Sequence, residues 1–171
     1  MKTPAITLAS SADVDRICDV MKKVYESMED KALFVCDSPE FVRAHIEDEG
    51  FTVIACDNDT DEAAGYFIFR YPGIKEDNLG RDIGLSDEEL ERVVHMESAA
   101  VLPRYRGLSL QSKMLCYGEE LIDKSKYKYF LATVSPDNPH SFQTFENNGY
   151  ELAATKEKYG GLMRRIYLKT V

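Results

Sequence analysis

Short β-rich runs and amphipathic helical stretches alternate along this chain. The β-rich runs consist mainly of apolar, β-branched and aromatic residues, and turn formers such as Gly, Asn and Asp bound them, which is typical of strands. They predict strands over Ala5–Ala9, Phe51–Cys56, Ala64–Arg70, Val93–Val101, Tyr127–Val134, Glu151–Lys158 and Leu162–Lys169. The pattern therefore indicates a central sheet of about six to seven strands.

Apolar positions three and four residues apart predict the helices. A first helix carries Val14, Ile17 and Val24 on one face, and a second begins at Pro39 after the cap Ser38 and is ended by Gly50. The remaining helical segments are predicted over Asp87–Arg92, over Leu108–Ser125, and through Asn148 after the cap Asn138, with Gly149 placed to end the last one.

The order of these elements predicts the topology of the sheet. Because the Leu108–Ser125 helix joins Val93–Val101 to Tyr127–Val134, we expect these two strands to be parallel. The last two runs flank Tyr159-Gly160-Gly161, which predicts a hairpin. The chain is thus expected to be of the α/β class, with a mixed, twisted sheet.

Composition narrows the class of protein. The 171 residues, 44% of them hydrophobic and 30% charged, are expected to form one domain over residues 1–171. A net charge of -9 argues against nucleic-acid binding and mildly favours a cationic or neutral partner. No apolar run approaches the roughly 20 residues that cross a bilayer, and no signal-peptide pattern is present, so we expect a cytoplasmic protein without membrane contacts.

The potential metal ligands are dispersed. The four cysteines contain no C-x-x-C pair, which indicates neither a zinc site nor a disulfide framework, and most of them are expected to be small core residues. The three histidines form no H-x-x-x-H or H-x-x-E-H group. We therefore predict no metal.

The clearest chemical signal follows the strand Val93–Val101. Pro103 interrupts the strand pattern, and helical spacing begins at Leu110, so a tight loop must connect strand to helix. Such a loop directs free backbone N–H groups and the positive end of the helix dipole at one point, which binds phosphate. Arg106 adds a cation there, and Gly107 lets the backbone approach a ligand closely.

The order V-x-P-x-Y-R-G-x-S-L-Q resembles the acetyl-CoA pyrophosphate loop of the GNAT superfamily of N-acetyltransferases, whose pattern is Q/R-x-x-G-x-G/A. In the preferred alignment Arg106 takes the first position, Ser109 the first Gly and Gln111 the last Gly/Ala. A second alignment starts at Arg104 and places Gly107 and Ser109 in the small positions. In either alignment, Ser replaces one expected Gly.

A second motif lies downstream. The segment from Asn138 to Tyr150 resembles the GNAT pattern N-x-x-A/S-x-x-x-Y/F-x-x-x-G-F/Y through Asn138, Ser141, Phe145, Gly149 and Tyr150. The two motifs occur in the family's order with one strand between them. The resemblance implies a GNAT-like fold in which helices cover both faces of the mixed sheet.

The resemblance also implies an activity, acetyl transfer from acetyl-CoA to a primary amine by direct attack, and a set of cofactor contacts. Backbone groups of the central strand would bind the pantetheine arm where that strand splays from its parallel neighbour. The loop would hold the diphosphate, and the later helix would contact the cofactor. The implied cofactor residues are Ala99, Ala100, Val101, Arg106, Gly107, Leu108, Ser109, Leu110, Gln111, Ser112, Asn138, Ser141 and Phe145.

Glu97 is the expected general base. It is the one carboxylate in an otherwise apolar strand, where desolvation should favour proton uptake from an ammonium, directly or through water. The alternative is a structural glutamate paired with Arg104 or a C-terminal arginine.

The sequence leaves the acid and the acceptor open. Many GNAT enzymes carry Tyr where this chain has Phe145, so the thiolate must take its proton from water, from the acceptor or from another tyrosine such as Tyr159. Water is the preferred donor. The acceptor is a small-molecule or peptide amine, and a homodimer is an expectation because similar proteins commonly dimerise. A non-catalytic acyl-CoA sensor or scaffold is the alternative function, and an unrelated nucleotide-binding α/β protein is a third.

Overall fold

The computed structural model describes residues 2–171 and contains five α-helices and seven strands within that range. The strands are β1 (Ala5–Leu8), β2 (Gly50–Cys56), β3 (Ala63–Arg70), β4 (Val93–Val101), β5 (Tyr129–Val134), β6 (Glu151–Lys158) and β7 (Leu162–Thr170). The helices are α1 (Val14–Ser27), α2 (Pro39–Glu47), α3 (Asp87–Leu90), α4 (Leu110–Leu121) and α5 (Pro139–Asn147).

The strands form one sheet in the order β1-β2-β3-β4-β5-β7-β6. β4 and β5 are parallel, whereas the pairs β1–β2, β5–β7 and β6–β7 are antiparallel. The α/β class, the mixed sheet of seven strands and the parallel pair joined by a helix are therefore confirmed, as is the final hairpin.

Several helix ends differ from the prediction: α3 and α5 end one or two residues early, at Leu90 and Asn147, and α2 and α4 differ by more. Gly50 does not end the second helix: α2 stops at Glu47 because the N–H groups of Asp48 and Glu49 both bond to the carbonyl of Ala44, and Gly50 opens β2. The helix predicted over Leu108–Ser125 is also shorter, since Ser109 has a left-handed backbone with φ 54°, which α-helical residues do not adopt.

The cysteines are not core residues. Cys18 and Cys56 are half-buried, and Cys36 and Cys116 are exposed. The prediction of core positions rested on residue type alone and is wrong for these four residues. Residues 2–171 contain no group of three or more side chains suited to hold a metal ion, and no helix in this range is long and apolar enough to cross a membrane.

The chain divides into two compact units. The first unit comprises the described residues of Met1–Phe69 together with Ser98–Leu121, and its fully buried side chains include Ile17, Met21, Tyr66, Phe69 and Met114. The second unit comprises Arg70–Glu97 and Ile122–Val171, and its core cluster contains Leu79, Val93, Leu131 and Ile166.

Candidate functional site

The loop before α4, in the first unit, has the backbone of an anion site. Gly107 and Ser109 both have positive φ, 83° and 54° respectively. The carbonyl of Ser109 accepts from the N–H of Lys113 at 3.0 Å, so the helical ladder starts at Ser109. The N–H groups of the first helical turn then have no acceptor within the helix, and the positive end of the helix dipole lies beside them.

The side chains of this loop differ in exposure. Arg106, Gly107 and Ser109 are exposed, whereas Leu108, Gln111 and Ser112 are half-buried. Leu110 is a core residue, only 2% exposed, so it can offer a ligand its backbone and not its side chain. The predicted loop residues are therefore brought together, although their roles in cofactor binding stay predictions.

Arg104 and Arg106, the two candidate first positions of the loop motif, have different surroundings. Arg104 is ion-paired with Glu62, and its guanidinium lies 4.9 Å from the centre of the Tyr105 ring. Among residues 2–171, Arg106 has no ion-pair partner. The charge of Arg106 is therefore available to an anion, and the choice between the two alignments stays a prediction.

Backbone packing against β3 orients the predicted pantetheine-binding stretch of β4. The N–H of Leu102 donates to the carbonyl of Ala64 at 2.9 Å, and a Cβ on Gly65 would lie 2.7 Å from the carbonyl oxygen of Ala100. The polar groups of Ala100 thus face β3. Since successive residues of a strand direct their N–H and C=O groups to opposite edges, those of Val101, next to Leu102, face away from β3.

In the second unit, the parallel ladder between β4 and β5 is short. It contains three residue pairs and ends where His95 lies opposite Leu131. β5 continues beyond this point and pairs with β7 as far as Val134. The register between β4 and β5 therefore ends at His95, one residue before Met96, and within the described residues the edge of β5 after Leu131 is not paired with β4.

Glu97 is the first side chain beyond the end of this ladder that is not buried. Its side chain is 24% exposed, and one carboxylate oxygen lies 3.3 Å from Nδ1 of His95 and 3.9 Å from Nη1 of Arg70. Arg70 thus places a positive charge close to this carboxylate. Sequence reasoning missed both neighbours, although the H-x-E spacing places His95 and Glu97 on the same face of a strand.

Arg70 is held in place from its other side. It donates to both carboxylate oxygens of Asp77, at 2.7 and 3.2 Å. Burial opposes ionisation of Asp77, but the hydrogen bonds and charge of Arg70 outweigh it and hold the pKa of Asp77 below its ordinary value. Asp77 lies in the long segment between β3 and α3, so this segment helps to build the surroundings of Glu97.

Helix α5 has the predicted cap. The side chain of Asn138 accepts from the N–H of Ser141 at 3.2 Å, and both residues are half-buried. Phe145 is 4% exposed; it packs edge-on against Tyr150 at 5.1 Å and stacks on Tyr167 at 6.3 Å. Phe145 is thus mainly a core side chain, and its contact with pantetheine stays a prediction.

Tyr159 occupies the turn between β6 and β7. This residue is 65% exposed, and its hydroxyl lies 3.1 Å from Oγ1 of Thr133 on β5. Thr133 belongs to the part of β5 that is unpaired with β4. The structure therefore fixes the position of Tyr159, which the sequence left undetermined.

We expect Ser109→Gly to stabilise the protein. A non-glycine residue with a left-handed backbone is strained by about 1–2 kcal/mol, whereas glycine adopts this backbone readily at a smaller entropic cost. The expected gain in the free energy of unfolding, measured by urea denaturation, is about 0.5–1 kcal/mol. Ser112→Gly, the same change within α4, should instead lose about 0.5 kcal/mol. Equal losses in both variants would contradict the assigned backbone of Ser109.

Comparisons with known proteins identify the family of the chain and agree with its fold. Residues 16–150 match the model of the acetyltransferase (GNAT) family. No curated protein has significant sequence similarity to the chain. Several solved structures share its fold at low sequence identity, and at such identities the likeness shows the fold alone.

Three of these structures illustrate the likeness. The N-acetyltransferase from Staphylococcus aureus Mu50 is 15% identical with a TM-score of 0.70, and the match covers 99% of both chains. yncA from Salmonella typhimurium, solved with its cofactor acetyl-CoA, is 16% identical with a TM-score of 0.69, over 99% of this chain and 94% of that one. A chain of the NatC complex bound to Gag peptide and CoA is 12% identical with a TM-score of 0.74, over 100% and 99%.

Proposed function

This chain belongs to the acetyltransferase (GNAT) family and is an acyltransferase, and we propose that it moves an acetyl group from acetyl-CoA to a primary amine of a small molecule or peptide. The observation that carries this proposal is the position of Glu97, a partly exposed carboxylate immediately beyond the end of the β4–β5 ladder. An ionised carboxylate at an opening between strands can take a proton from an ammonium. A protein that only bound acyl-CoA would not need one.

The same proposal assigns the cofactor contacts. The diphosphate binds to N–H groups at the start of α4, assisted by the charge of Arg106. Backbone groups of β4 at Ala99 to Val101 bind the pantetheine arm, and Asn138 and Ser141 contact the cofactor from α5. Two structural relatives support this choice of cofactor, since yncA was solved with acetyl-CoA and the NatC complex with CoA.

The proposed reaction is direct transfer. Glu97 removes one proton from the acceptor's ammonium, directly or through water, and the neutral amine attacks the thioester carbonyl. Backbone N–H groups of β4 stabilise the negative charge that develops on the carbonyl oxygen. The C–S bond then breaks as the C–N bond becomes an amide, the nitrogen loses its second proton, and the thiolate takes up one proton to leave as CoA. No metal takes part in this scheme.

Calorimetry with acetyl-CoA, followed by a thiol-release assay over a panel of amines, tests the proposal. The panel contains polyamines, amino acids, aminoglycosides and peptides with free N-termini. We expect acetyl-CoA to bind and at least one amine to release CoA, with the acetylated product identified by mass spectrometry. Binding without turnover on any amine would favour an acyl-CoA sensor, and no binding would contradict the proposed function.

Gly107→Val should weaken acetyl-CoA binding, because a side chain there blocks close approach of the diphosphate to the backbone. Gly84→Val is the matched control for backbone strain. Both glycines have φ near 80°, at 83° and 79°, and neither would place a Cβ within 4 Å of another residue. The two variants should lose similar stability, and only Gly107→Val should change the affinity. An equal affinity in both would place the diphosphate elsewhere.

Tyr159→Phe should change turnover by less than about tenfold. The tyrosine is exposed, so water can protonate the leaving thiolate in its place, and a thiol with a modest pKa needs little help from an acid. Steady-state kinetics at saturating acetyl-CoA measure the effect. A larger drop, corresponding to more than roughly 1.4 kcal/mol, would identify Tyr159 as the proton donor.

A further inference from the structure

His95 is a buried histidine of β4 with both ring nitrogens engaged. Its side chain is 3% exposed. Nε2 lies 3.0 Å from the backbone nitrogen of Leu79, and Nδ1 lies 3.3 Å from the carboxylate of Glu97. The imidazole therefore links the segment that follows β3 to the candidate base.

These contacts determine which ring nitrogen carries the proton. The N–H of Leu79 can only donate, so Nε2 must be the acceptor and carry no proton. In a neutral imidazole the proton then lies on Nδ1, from which it donates to Glu97. Because the backbone of Leu79 occupies Nε2, His95 itself is poorly placed to take a proton from an acceptor.

The donor matters because Glu97 has a competing neighbour. The charged groups facing its carboxylate are Arg70, at 3.9 Å from the same oxygen, and Asp77 behind Arg70. Without the N–H of His95, rotation of the carboxylate toward the guanidinium would form a closer ion pair. The observed orientation of the Glu97 carboxylate, with one oxygen facing Nδ1 of His95, therefore depends on the histidine.

We propose that His95 is a positioning residue for Glu97, an inference that rests on the proposed function. Nδ1 of His95 donates a hydrogen bond that fixes the orientation of the Glu97 carboxylate, while the backbone N–H of Leu79 holds Nε2. The role is exerted entirely through Glu97. His95 touches neither acetyl-CoA nor the acceptor.

Two substitutions of His95 distinguish the contact made by Nδ1 from the contact made by Nε2. Asn at position 95 retains an N–H near the position of Nδ1, whereas Gln retains a polar atom near Nε2 and removes the donor to Glu97. We expect His95→Gln to lower kcat by about tenfold or more with the KM for acetyl-CoA unchanged, because misplacing a reacting group is costly. Its pH–rate profile should differ from that of the wild type, because the carboxylate exchanges the donor on His95 for a closer contact with Arg70. His95→Asn should recover most of the turnover.

A double variant tests whether His95 acts through Glu97. In the Glu97→Gln background, adding His95→Gln should reduce kcat no further, since residues that act as a unit are non-additive. Equal losses of kcat in His95→Gln and His95→Asn, or an additional loss in the double variant, would overturn the positioning role. Thermal unfolding of each variant separates these effects from lost stability.

A measurement on the wild-type protein keeps this inference distinguishable from the proposed function. Nitrogen-15 NMR of the imidazole reports the tautomer without any turnover. A protonated Nδ1, with ring shifts that change in Glu97→Gln, supports the positioning contact even if no amine is acetylated, in which case only the proposed function fails. A protonated Nε2, or ring shifts insensitive to Glu97→Gln, would overturn the inference.

Discussion

Glu97→Gln is expected to lower kcat by at least about a hundredfold, because an amide cannot accept the proton that the attacking ammonium must lose. The substitution preserves the shape of the side chain and an oxygen that can accept from His95. Arg70 keeps its two hydrogen bonds to Asp77, so the fold should tolerate the change. The rise of the rate with increasing pH should flatten, and steady-state kinetics across a pH series measure both effects.

Glu91→Gln is the matched control for this experiment. Glu91 is an exposed carboxylate of the same unit, two residues before β4 begins. The substitution removes the same charge outside the candidate site, so turnover should stay close to the wild-type value. If Glu97→Gln also retained the wild-type rate and pH profile, Glu97 would not be the base.

Gly118→Ala is expected to destabilise the first unit by about 2–3 kcal/mol, as overpacking of a core does. A Cβ on Gly118 would lie 2.0 Å from the ring of Phe69, far inside van der Waals contact. The ring cannot move away easily, because it is fully buried and stacks on Phe51 at 4.7 Å and on Phe67 at 4.8 Å. The methyl must therefore displace α4, and acetyl-CoA affinity should fall as the start of this helix shifts.

Relief of the clash tests this explanation. Phe69→Leu leaves space for the new methyl, so the double variant should be more stable than the sum of the two single losses by roughly 1 kcal/mol or more. Glu120→Ala, an exposed change in the same helix, should stay within about 0.5 kcal/mol of wild type. Urea denaturation measures all four proteins. An unchanged stability of Gly118→Ala would contradict the close packing of α4 on Phe69.

The buried face of helix α4 was only partly predicted by hydrophobic periodicity. The apolar spacing predicted an inner face of Leu110, Met114, Tyr117, Leu121 and Ile122. Leu110, Met114 and Ile122 are buried as predicted, but Tyr117 is half-buried and Leu121 is 48% exposed, whereas Leu115, Gly118 and Glu119 are buried. The face is rotated because Gly118 fits against Phe69, a contact that hydrophobic periodicity does not encode.

Local sequence patterns were enough to predict the order and type of the elements, the bounds of β4, the cap Asn138 and the loop that carries Arg106 and Ser109. These features depend on neighbouring residues: strand and helix periodicity, a proline or glycine at a turn, a side chain that caps the next helical turn. The family motifs are local for the same reason, and so is the prediction of Glu97 as the candidate base, which rests on its being the one carboxylate in an otherwise apolar strand.

The surroundings of that base could be seen only in the folded structure. Arg70 and Asp77 are distant from Glu97 in the sequence, and the backbone of Leu79 sets the tautomer of His95. The short β4–β5 ladder and the place of Tyr159 beside Thr133 likewise depend on which strands pair and where pairing ends. Such contacts arise from the packing of separate segments, whose free energy depends on shape and burial that no local pattern records.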